Sequence, residues 1–336
     1  MAGLSIYSLG DAKLKQTIDA YRQSAEAYRA AGKNAKSGDA EINLALHSYA
    51  LGARTVDSVR LRDGDRILSK YLATENGKWP YAVPREFCEA SRAFALALLA
   101  ERLGDRKLLL EALPLCARSR KPAGGGAFKP PMAAADGIAG GALAVIGRMT
   151  ASREILTDAV AAARRALDAK DDKTDPIISS AARHNYGHTL QMLGEFDQDR
   201  EMLEEAVREL EAAPNGIDRA RWPGFEAMIE HVRGRALTSL GKLTKDQAVL
   251  ARALSAHRDA LAALGGKAGP FVRAESMQAL GEAKLAMAEL RADRKMADDA
   301  AESLRTAEDI LKTGDLAGTL KQVRYSLAAA ERLARG

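Results

Sequence analysis

His184 and His188 are four residues apart, a spacing that puts two side chains on one face of a helix. A pair placed this way can contribute to a metal site or to an anion pocket that responds to protonation. No HExxH motif accompanies the two histidines and no carboxylate stands at metal-ligand spacing, so no metal and no other cofactor is expected. Nucleophilic chemistry has as little support. There is no GxSxG motif, and neither Cys88 nor Cys116 is close to a histidine in the sequence or part of a CxxC pair. Both cysteines read as buried free thiols in a reducing compartment. Glycines 124–126 followed by Lys129 suggest a phosphate loop, but the GxxxxGK(S/T) spacing and a preceding strand are missing; the stretch 118–131 reads as a flexible basic linker. The pairs Glu204-Glu205, Asp298-Asp299 and Arg164-Arg165 fit solvated helix faces. These residue types argue for a protein that binds, and no enzymatic activity is expected.

The elements that carry these residues recur. Gly140, Gly187, Gly234 and Gly281 are each 47 residues apart, and Ala159, Ala206, Ala253 and Ala300 keep the same interval. Leu143, Leu190 and Leu237 follow the first three glycines in register, as do Gly147, Gly194 and Gly241. A period of this length marks a repeat array in which each unit buries its apolar face against its neighbours. Hydrophobic residues make up 47% of the 336 but aromatics only 5%, so the filling is mostly Ala and Leu, small and helix-forming. The apolar spacing predicts about fourteen helices in antiparallel pairs and no strands. Helices over 12–31, 40–51 and 55–73 precede the register and read as a degenerate repeat or cap, within an N-terminal segment 1–84. The array runs over 85–312. Its first helices are expected to end at the register glycines Gly147, Gly194 and Gly241, and the Leu103-Gly104 turn then sits four residues late. A last helix in 313–336 caps the stack. The 50 basic and 45 acidic residues are interleaved, which disfavours a nucleic-acid surface. No signal peptide or membrane span is visible, and a cytoplasmic location is the expectation.

Asn185-Tyr186-Gly187, Leu190, Leu193-Gly194, Glu205-Ala206-Val207 and Ala213-Pro214 resemble the tetratricopeptide repeat, in a long bacterial variant. The resemblance implies an all-α, right-handed α-solenoid whose first helices line a concave groove, and it transfers no catalytic residue. On that geometry His231 joins His184 and His188 in adjacent repeats. The groove positions expected to contact a partner are Phe94, His184, His188, Gln191, His231, Arg235, Gln278 and Glu282, with Arg235 suited to a carboxylate. The expected function is a scaffold for a protein or peptide partner. The alternative is a small-molecule or metal receptor with its pocket around His184, His188 and His231; nucleic-acid binding ranks below both.

Overall fold

The computed structural model describes residues 11–73, 79–120, 130–169, 175–215, 217–218, 222–265 and 269–336. Among them are fourteen α-helices and no strand. α1 (Asp11–Ala30), α2 (Asn34–Gly52) and α3 (Val59–Leu72) precede the five repeated pairs. The pairs are α4 (Arg85–Leu103) with α5 (Lys107–Ser119), α6 (Pro130–Thr150) with α7 (Arg153–Asp168), and α8 (Pro176–Asp197) with α9 (Arg200–Ala212). They continue as α10 (Pro223–Thr244) with α11 (Gln247–Leu264) and α12 (Pro270–Arg291) with α13 (Arg294–Leu311), and α14 (Ala317–Arg335) ends the chain. Consecutive helices pack against one another throughout, as in a helical solenoid. Most of the expected linker over 118–131 lies outside the described residues.

Each pair is joined by a tight turn that repeats with the period, of three residues in the first pair and two in the other four. Gly104, Ala151, Gln198, Lys245 and Ala292 are left-handed, with φ of 72°, 53°, 53°, 54° and 52°. The residue after each is Asp or Ser. Ser152, Asp199, Asp246 and Asp293 accept hydrogen bonds from the backbone N–H groups of the first turn of the following helix, satisfying donors that would otherwise be orphaned. This corrects the expected boundaries. The first helices do not stop at Gly147, Gly194 and Gly241 but continue to Thr150, Asp197 and Thr244. Those glycines are helix-interior contacts against Leu156, Leu203 and Leu250. The Gly104 turn is therefore in register, not four residues late. A second correction falls on the helix expected over 40–51: residues 34–39 also belong to it, as the start of α2. Its Ser37 is buried and donates to the Ala25 carbonyl at 2.9 Å, so the segment is held as helix by α1.

Within each pair a second register glycine marks the helix crossing. A Cβ on Gly187 would meet Leu210 at 2.7 Å, and one on Gly281 would meet Leu304 at 2.7 Å. Any side chain there would push the two helices apart. Ala163, Leu210, His257 and Leu304 are the residues facing Gly140, Gly187, Gly234 and Gly281. Three of them are apolar. His257 is the exception.

The stack does not remain an open arc. α4, α6, α8, α10, α12 and α14 each contact the next, and α14 returns to contact α4. Arg102, 1% exposed, fastens this closure. Its guanidinium donates to the carbonyls of Gly52 (2.8 Å), Ala53 (2.7 Å) and Thr55 (3.3 Å) at the end of α2. It also lies 3.6 Å from the centre of the Phe271 ring on α12. Asp315 adds bonds to the Ser58 N–H (3.1 Å) and Arg62 (3.0 Å). Gly318 meets the Glu101 carbonyl so closely that no Cβ would fit. Six inner helices thus form a ring, and the face expected to be an open groove becomes the wall of a lumen.

Candidate binding site in the lumen

α8 and α10 bring the sequence-selected histidines together because they are equivalent helices of adjacent repeats. His184 and His231 occupy one register position, and His188 and Arg235 the next, one turn further along. The His184 and His188 rings are 6.1 Å apart. His231 pairs with His257 of α11 at 6.0 Å, so four of the five histidines form one cluster. His257 lay outside the expected set. Its signal was available in the register, where a histidine replaces a core residue opposite Gly234.

The cluster is poorly satisfied. His184 Nδ1 lies 3.2 Å from Asn185 Oδ1, but its Nε2 has no partner. His231 Nδ1, both nitrogens of His257 and Gln191 Oε1 are likewise buried without partners among the described residues. A buried unpaired polar atom costs about 1–3 kcal/mol, so a concentration of five calls for a reason. Burial holds every ring neutral at pH 7. It lowers His184 to about 4 and His257 to about 3. It lowers His188 and His231 well below the usual histidine value, and the Arg235 charge adds to the effect on both.

Arg235 is the cation of the cluster. It is half-buried and has neither an ion pair nor a hydrogen bond among the described residues. On α12, Glu275 keeps exposed surface yet sits deep among protein atoms, the situation of a group on the inner wall of a cavity. Burial pushes its carboxyl up to about 7; the Arg102 charge opposes the shift, Glu101 reinforces it, and Arg235 and Arg148 oppose it. Glu275 therefore feels residues of α4, α6 and α10. These groups face a common interior. Glu275 stands in register with Met228 of α10, a groove-facing position legible from the repeat. Glu101, Arg102 and Arg148 were not selected from sequence, and only ring closure brings α4 to α12.

The remaining expected contacts are placed differently. Gln191 is fully buried and donates to Glu195 at 2.6 Å, so it is part of the wall. Gln278 donates to Glu282 at 3.0 Å, and Glu282 also accepts from Ser326 of α14 at 3.1 Å, which engages both in the closure. Phe94 of α4 packs over Gly141 of α6 as partly buried core. Arg148 forms an ion pair with Glu101. Among the described residues no three His, Cys, Asp or Glu side chains are placed to share a metal ion, and no helix is long and apolar enough to cross a membrane. On the outer side a concavity of about 330 Å³ is lined by Arg164, Leu167, Asp168, Arg183 and Glu209. Its charges are paired as Arg164–Asp168 and Arg183–Glu209, leaving none to recruit a ligand.

No protein-family model matches the chain, and a search among curated proteins finds no match. What fold and site define is a class: an all-helical repeat protein whose inner helices surround a lumen lined by charged and imidazole side chains.

Proposed function

We propose that the protein is a receptor that encloses a small molecule in its lumen, in preference to a scaffold that lays a long peptide along an open groove. The closure made by Arg102, Phe271 and α14 carries this reading, because a closed ring admits a small ligand or a chain end but not the middle of an extended partner. Unsatisfied histidine atoms beside a partner-free arginine suit it. They supply a few convergent polar groups inside an otherwise well-packed shell.

The peptide-scaffold reading, implied by the repeat resemblance, draws on one of the same observations. Arg235 is the kind of group that holds the terminal carboxylate of a chain through two parallel hydrogen bonds. A thermal-shift screen of small metabolites, set beside affinity capture of protein partners, separates the two. Small compounds that raise the melting temperature, with the effect lost in His188→Ala and Arg235→Ala proteins of unchanged helical CD, support the receptor. Capture of a protein partner through the same two residues, with no small compound stabilising the fold, overturns it.

A further inference from the structure

Two charged side chains of the lumen wall have no ionic partner among the described residues: Arg235 on α10 and Glu275 on α12. Their helices pack directly against each other, yet no ion pair of 4.0 Å or less joins the two side chains. The other charges around the lumen are engaged. Arg102 is spent on three backbone carbonyls, Arg148 and Glu101 hold each other, and Glu282 is bonded to Ser326 and Gln278. A lone guanidinium and a lone carboxylate on adjacent inner helices, both keeping accessible surface, form a site of two opposite halves. Around the guanidinium half, His188 and His231 bring imidazole nitrogens, of which His231 Nδ1 is buried and unsatisfied. Either half alone would select an ion. Together they select a molecule with both signs, whose charges cancel those of the wall and which carries no net charge into a desolvated space.

We infer that the lumen takes a small zwitterion, its anionic oxygen group seated on Arg235 between His188 and His231 and its cationic group on the Glu275 carboxylate. This rests on the receptor reading and specifies its ligand class. Arg235 is chemically suited to the anionic end, since a guanidinium accepts a carboxylate or a phosphate oxygen pair in a bidentate fork. Glu275 has only acceptor oxygens when ionised and matches an ammonium or a guanidinium.

The test is calorimetric titration of the full chain with ω-amino acids of increasing length, from glycine to 6-aminohexanoate. Acetate and propylamine serve as singly charged controls, and taurine varies the anionic group. The expected result is binding of zwitterions over a narrow range of charge separation, with neither control bound at the same concentration. Arg235→Gln and Glu275→Gln should each weaken that binding at least about tenfold, the size set by losing one charge-assisted contact. Far-UV CD and melting curves of both variants report that the fold is intact. Equal binding of the singly charged controls, or zwitterion binding indifferent to both substitutions, overturns the inference. If only neutral or singly charged compounds bind in the lumen, the zwitterion falls while the receptor stands. If no small molecule binds the folded protein, both fall.

Discussion

At the scale of the residue, His257 is the clearest departure from what packing alone would select. It stands where the register elsewhere has Ala163, Leu210 and Leu304, is fully buried, and leaves both ring nitrogens unpaired. Replacing it with leucine, His257→Leu, should stabilise the fold by roughly 1–3 kcal/mol in denaturant unfolding, the cost of unsatisfied buried polar atoms; destabilisation would show that the imidazole is satisfied in solution. The four clustered histidines also fix a pH dependence. Their folded-state values are depressed, to about 4 for His184 and about 3 for His257. The unfolded chain therefore takes up protons first as pH falls. Stability is fully present above the unfolded value of about 6.5 and is lost below it, at about 1.4 kcal/mol per histidine per pH unit. Melting temperature should drop steeply between pH 7 and 5, and less steeply in His257→Leu. Glu275 acts in the opposite sense, because its folded value is raised to about 7. Its contribution is present below the unfolded carboxyl value and is lost as pH rises through 7. Glu275→Gln should therefore raise the melting temperature at pH 8 and leave it unchanged near pH 4; a loss at pH 8 would show that the carboxylate is structurally paired. A gain in stability from removing a lumen charge is what a binding site held at a cost to the fold would show.

At the scale of the element, the helices were legible because one interval of 47 residues recurs in both their apolar stripes and their crossing glycines. Their ends were harder to read. Gly147, Gly194 and Gly241 look like terminators in a sequence, since glycine commonly ends helices. Here they serve close packing against Leu156, Leu203 and Leu250. The true turn positions are filled in three of five cases by Ala or Lys, residues that do not announce a left-handed backbone. That choice has a measurable cost. Ala292→Gly and Lys245→Gly should each stabilise the fold by about 0.5–1 kcal/mol, because glycine reaches φ near +53° without a Cβ clash. Asp199→Ala should cost about 1 kcal/mol through loss of its cap on Met202 N–H. Chemical denaturation measures all three. A destabilised glycine variant at position 292 would mean that the turn is not left-handed.

At the scale of the whole molecule, closure of the array was not legible. It depends on the summed rotation of successive pairs, and its contacts come from Arg102, Phe271, Asp315 and Gly318, none of which repeats. The same is true of part of the candidate site. His184, His188, His231, Arg235 and Glu275 lie on successive equivalent helices and follow from the register, whereas Glu101 and Arg102 of α4 reach Glu275 only through the closure. Arg102→Met should destabilise by about 1–3 kcal/mol, because it leaves the Ala53 carbonyl without its donor. The enclosing ring is the claim on which receptor and ligand class both depend, and small-angle X-ray scattering tests it most directly. A closed array should scatter with a radius of gyration close to the ~20 Å expected of a compact chain of this length, and the value should rise on Arg102→Met substitution. A wild-type radius well above that value, with the extended distance distribution of an open arc, would contradict the ring.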